Sequence, residues 1–120
     1  MPSPHLGGKN ANTPKLVTGR RRIIAALARD AGVRLILGPV ELTIRFVFEI
    51  PPSVSAKERE RRMGAFHVFD PDGSNCQKLV EDALVGVAYR DDNQIARSLT
   101  EKVWGAAPRT TITVGPAMDP

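Results

Sequence analysis

The sequence predicts an α/β (α+β) domain: a small mixed sheet with helices packed on it. Three observations carry this. Between residues 39 and 50 the even-numbered Val40, Leu42, Ile44, Phe46, Phe48 and Ile50 are apolar and alternate with Glu41, Thr43, Arg45 and Glu49. A period of two is that of a strand with one buried face. Between residues 74 and 88, Cys76, Leu79, Val80, Ala83, Leu84 and Val87 recur instead at helical spacing and make one apolar stripe. Residues 94–104 and 109–114 read as two further strands, and the Gly/Pro-bounded stretch 105–108 reads as the turn of a hairpin between them.

The elements follow in chain order. Gly, Pro, Asn and Ser dominate residues 1–13, which predicts a flexible N-terminal segment. Pro14 opens a helix, whose apolar face is Leu16, Val17, Ile23, Ile24, Leu27 and Ala31, with Arg20, Arg21 and Arg29 mostly off it. Gly32 is its expected stop. Residues 33–37 are apolar and fit strand or helix. After the strand at 40–50, Pro51-Pro52 ends the pairing. Ser55-Ala56-Lys57-Glu58 is a capping-box pattern, so a short basic helix follows to about Met63. Residues 66–69 form a short strand or extended arm. Ser74 is the expected N-cap of the next helix, and Arg90-Asp91-Asp92-Asn93 the polar turn after it. Residues 14–114 make the domain, and 115–120 a flexible tail.

A chain of 120 residues is one domain. No apolar run reaches membrane-span length, and the first residues lack the apolar stretch of a signal peptide. The single cysteine, Cys76, excludes an internal disulfide and fits a reducing, cytoplasmic setting. It lies on the apolar stripe, so a buried inert thiol is the plainer reading than a nucleophile. One Cys and two His make no zinc cluster, and nucleotide-binding and serine-elbow patterns are absent. The net charge of +4 is compatible with nucleic acid. Two basic clusters say more: Arg20-Arg21-Arg22, and Lys57, Arg59, Arg61 and Arg62. Each alone is most simply a solvated helix face. Together they point to phosphate contacts. With 5% aromatic residues, a base-stacking single-strand reader is disfavoured.

The richest stretch is Pro71-Asp72-Gly73-Ser74-Asn75, then Lys78, Asp82-Ala83-Leu84, and Gly86-Val87-Ala88-Tyr89-Arg90-Asp91-Asp92-Asn93-Gln94-Ile95. On spacing alone this is a surface helix flanked by acidic turns. The pattern resembles the RusA family of crossover-junction endodeoxyribonucleases. The likeness runs from about residue 38 to 114, with Lys102 and Trp104 fitting the family's next strand. The family motif is Asp-x-Asp-Asn-x-x-Lys followed by an Asp-Asp pair. Asp72, Asn75, Lys78 and Asp92 match it, while Ser74 stands where the family has its second Asp. That substitution removes one negative metal ligand. Asp70 is a candidate to compensate, although Pro71 restricts the backbone between them.

The resemblance implies hydrolysis of phosphodiester bonds in four-way (Holliday) DNA junctions during recombination and repair. Asp72 and Asp92 would hold Mg²⁺ (or Mn²⁺), with Lys78 as the third catalytic group. Arg20, Arg21, Arg22, Lys57, Arg61, Arg62 and Lys102 are the expected DNA contacts. The alternative is a weakened RusA-derived protein that binds junctions without cutting them; a basic domain for protein or RNA would require the motif to be chance. The family setting is a bacterial or phage-encoded protein of the cytoplasm. Geometry adds a constraint. A helix from 74 to about 87 is roughly 20 Å long, and Asp72 and Asp92 flank it. Either the helix ends early and the chain folds back, or a homodimer joins one chain's Asp72 to the other's Asp92 across a two-fold.

Overall fold

Strand β1, Val40–Glu49, is the centre of the computed structural model, which describes residues 14–120, with side chains from Arg20 onward. The expected flexible segment 1–13, and the side chains of Leu16 and Val17, lie outside the described residues. Val40, Leu42, Ile44, Phe46 and Ile50 are at most 1% exposed, so the even-numbered face is the core face, as the alternation predicts. Helix α1, Pro14–Asp30, lays Ile24 and Ala28 on that core. Its last turn closes through bonds from Gly32 N to Arg29 O (3.0 Å) and Val33 N to Ala28 O (3.1 Å). Gly32 sits at φ +83°, the left-handed conformation this helix stop requires. Residues 33–37 then run without regular structure into β1.

Helix α2 is Ala56–Arg62, capped by the Ser55 hydroxyl, which accepts from Glu58 N. An arm at 64–67 pairs with the outer edge of strand β2, Ile95–Gly105, through Phe66 opposite Val103. His67 N donates to Lys102 O at 2.9 Å, and Trp104 N to Ala65 O at 2.9 Å. Helix α3, Gly73–Ala83, buries Cys76, Val80 and Ala83. Strand β3 is Arg109–Pro116, two residues longer than expected.

Two expectations are corrected. First, β2 and β3 do not form a hairpin. The sheet order is β2-β1-β3, with β2 parallel to β1 and β3 antiparallel to it. Only β1 is apolar enough to bury a whole face, so it takes the middle, and the more polar β2 and β3 become edges. Residues 50–94, with α2 and α3, are the long crossover that a parallel pair needs. The 105–108 segment must then pass over β1, and a Cβ on Gly105 would collide with Val47. Second, α3 stops at Ala83, short of 88. Gly86 is at φ +83°, and its amide donates to Tyr89 O at 2.7 Å. The buried Tyr89 hydroxyl donates to Glu81 O at 2.6 Å, satisfying a carbonyl of the last helical turn. Leu84, Val87 and Ala88 remain buried after the helix has ended, so the apolar pattern continues although the backbone has turned.

Candidate active site

The site begins at the N-terminus of α3. Asp72 is the N-cap, with φ −60° and ψ 134°. Its Oδ1 accepts from Ser74 N at 2.9 Å and from the Ser74 hydroxyl at 2.8 Å. The capping role expected of Ser74 thus belongs to Asp72. A carboxylate is the stronger acceptor for free amides and suits the positive end of the helix dipole. The Ser74 hydroxyl, then the Ser74 amide, hold the Asp72 carboxyl below its usual pKa, with the Lys102 ammonium adding to the effect. Asn75 follows, exposed on the first turn.

The loop leading into Asp72 is fastened from below. Lys102 Nζ donates to Phe69 O and to Pro71 O, both at 2.6 Å. Beside it His67 is 6% exposed. Its ring stacks on Phe48 at 4.1 Å and lies 4.3 Å from Trp104. Burial, then the Lys102 charge, push the His67 imidazole below its ordinary pKa, favouring the neutral form. Its Nδ1 is buried without a partner. Sequence reasoning counted His67 only as too few for zinc; its place between Phe66 and Phe69 was the available signal. An open groove of about 770 Å³ runs beside α3, lined by Phe66, His67, Ser74, Gln77, Leu99 and Thr100.

The other proposed groups lie elsewhere. Lys78 is exposed on α3, and its Nζ is 3.6 Å from Asp82 Oδ1, one turn toward the C-terminus. Asp92 opens the short 3₁₀ turn Asp92–Gln94, after its Asp91 cap. It is near enough to Tyr89 to help raise that phenol's pKa, after burial and Glu81. Gln94 braces this end: its Nε2 donates to Ile36 O (2.8 Å) and Gly38 O (2.9 Å). Asp72 and Asp92 therefore mark opposite ends of α3. Ten helical residues from Asp72 to Asp82 span about 15 Å. The helix ends early, and the chain turns back so that the Tyr89 hydroxyl reaches Glu81 O.

The basic residues divide into free and engaged groups. Arg22 and Lys57 are exposed. Arg20 is half-buried beside Cys76, and its Nε and Nη1 have no partner. Arg61 and Arg62 both donate to Glu58, whose carboxyl is lowered to about 2 by those bonds. Arg62 also lies over the Trp104 ring, 4.9 Å from its centroid. Cys76 is buried, and burial raises its pKa, so its thiol is inert as read.

Residues 5–115 match the family described as Endodeoxyribonuclease RusA. The chain belongs to the RusA family. It is 27% identical over 84 residues to the uncharacterized protein YqaN of Bacillus subtilis (strain 168), an alignment covering 67% of this chain. The chain spans 59% of the length of that curated relative. RusA-family proteins are Holliday-junction-resolving endonucleases and generally depend on a divalent metal. Among the described residues of one chain, no three His, Cys, Asp or Glu side chains are grouped to hold such an ion. At the α3 N-terminus the Ser74 hydroxyl donates to Asp72 Oδ1. No helix among the described residues is long and apolar enough to cross a membrane.

Proposed function

We propose that this protein is a Mg²⁺-dependent endonuclease that resolves four-way DNA junctions as a homodimer, with each site shared between subunits. The observation that carries this is the placement of Asp72 and Asp92 at opposite ends of one helix. Two α3 helices running antiparallel about a two-fold would bring each Asp72 to Asp92 of the partner subunit, twice. A junction has two strands to cut at symmetry-related positions, and such a dimer has two equivalent sites. Mg²⁺ held there would activate water and offset charge on the scissile phosphate; Mn²⁺ is the natural substitute. Lys78, exposed on the same helix, would add positive charge to the transition state. Arg20, Arg21, Arg22 and Lys57 would meet backbone phosphates. Arg61 and Arg62 join them only as members of their network with Glu58.

Mixed dimers test the shared site. A heterodimer of Asp72→Asn and Asp92→Asn subunits keeps one intact site if sites are shared, and none if each lies within one chain. The expected result is junction nicking by the mixture and none by either variant alone; an inactive mixture overturns the shared arrangement. A second reading, a protein that binds junctions but scarcely cuts them, has its own support: the Ser74 hydroxyl occupies Asp72 Oδ1, where a second carboxylate would otherwise add charge. Paired symmetric nicks in a synthetic junction with Mg²⁺ support the enzyme. Binding without nicks, together with cleavage by Ser74→Asp, supports the second reading.

A further inference from the structure

The expected role of Lys102 is a phosphate contact, yet its surroundings point elsewhere. Lys102 pairs with Phe46 across the parallel ladder, which puts it on the face of β2 that the helices cover. Arg97 and Glu101, on the alternate positions, pair with Glu41 and Arg45 and belong to the other face. The Lys102 stem runs beneath the start of α3, its Cδ 3.9 Å from where a Gly73 Cβ would be. Its own carbonyl holds the arm through His67 N. An ammonium has three donors. Two of them take the carbonyls of Phe69 and Pro71, so most of the ammonium's donor capacity is spent on the loop, in a half-buried place, through charge-assisted bonds.

We propose that Lys102 is a positioning residue for Asp72: its ammonium, bound to carbonyls on both sides of Asp70, fixes the loop that aims the Asp72 carboxylate from the α3 N-terminus. This rests on Asp72 being a site carboxylate. Its physical content is independent of catalysis. The segment 68–72 is exposed apart from Pro71; the Phe69 ring meets His67 and Trp104 edge-on or tilted, and the two bonds from Lys102 supply the directional restraint on the backbone. With the loop fixed, Asp72 Oδ1 stays on Ser74. With the loop freed, the cap frays and the carboxylate samples many directions.

The test compares full-length wild type with Lys102→Met, which keeps the apolar stem and removes the donors. Backbone hydrogen exchange is read without metal or DNA. The amides of Ser74 and Asn75 are expected to exchange about tenfold faster in the variant, while Val80 in mid-helix is unchanged. The salt dependence of junction binding, measured in EDTA, is expected to keep its slope. Unchanged exchange at Ser74 overturns the proposal. So does a slope shallower by about 0.9, the signature of one lost phosphate contact. Should Lys102→Met fail to fold, Lys102→Arg is read in the same two ways, because a planar fork reaches the two carbonyls from displaced positions. A wild type that never cuts junctions would sink the functional reading but leave the exchange result standing, so the two failures are distinguishable.

Discussion

Tyr89→Phe removes one oxygen from the best-buried aromatic side chain in the protein. Tyr89 is 0% exposed, and its hydroxyl donates to Glu81 O at 2.6 Å. The ring and its packing survive the change. What is lost is the bond, and a carbonyl in the last turn of α3 is left without that donor. A buried acceptor stranded in this way costs about 1–2 kcal/mol. For a domain near 100 residues each kcal/mol moves Tm by roughly 5 °C, so thermal unfolding followed by circular dichroism should show a Tm lower by about 5–10 °C. The variant also separates a pH effect. Burial, then Glu81, Asp92 and Asp82, raise the Tyr89 pKa above its ordinary value near 10. The folded state thus holds the proton more tightly than the unfolded state. Stability from this group is fully present below about pH 10 and is lost as pH rises beyond it. Tyr89→Phe should therefore show a flatter decline above pH 10 than wild type. A Tm within about 1 °C of wild type at neutral pH, or an unchanged alkaline limb, would refute the account of how α3 ends.

Gly105→Ala should destabilise by about 1–3 kcal/mol through collision with Val47, and Val47→Ala in the same chain should recover part of the loss; additive losses in denaturant unfolding would contradict the proposed crossing. His67→Phe keeps an aromatic ring between Phe48 and Trp104 but cannot be protonated. Because the folded His67 pKa lies below its unfolded value of about 6.5, wild-type stability from this group is present above that pH and is lost as pH falls below it. The stability gap should move in favour of the variant between pH 7 and 5, and a pH-independent gap counts against a buried neutral imidazole.

What the sequence disclosed followed from local physics. The alternation of β1, the Ser55 cap of α2, the apolar stripe of α3 and the inert Cys76 all depend on residues close in the chain. The errors came where the answer depends on distant partners. Residues 94–114 look like a hairpin because strand patterns separated by a turn look the same whether they pair with each other or straddle a third strand. Only the stronger apolar demand of β1 decides the order. The α3 stripe runs on through Leu84, Val87 and Ala88 because burial, unlike backbone direction, does not change at Gly86. At the site, the family motif nominates Asp72, Asn75, Lys78 and Asp92, and the structure shows where each one sits. Lys102 and His67 were not legible in their roles, since a lysine in a polar strand and a histidine in an arm acquire meaning only when β2 brings both beneath the loop at 69–71.

If the site is shared as proposed, the placement of Asp72 and Asp92 at the two ends of α3 has a consequence for control. An enzyme that severs two strands of a junction does harm if it nicks only one, or nicks ordinary duplex while monomeric. With the acidic groups split in that way, a lone chain would not assemble the proposed metal site, and cutting would be conditional on pairing. Dilution exposes this directly. Below the dimer dissociation constant the concentration of dimer falls as the square of total protein, so the initial cleavage rate with excess junction should fall about a hundredfold for each tenfold dilution. Above that constant the dependence should become linear, and the crossover should coincide with the monomer–dimer transition seen by sedimentation. A rate that stays linear in protein through the range where sedimentation finds only monomer would mean that one chain gathers its own ligands. The placement of Asp92 beside Tyr89 would then have to change on binding DNA.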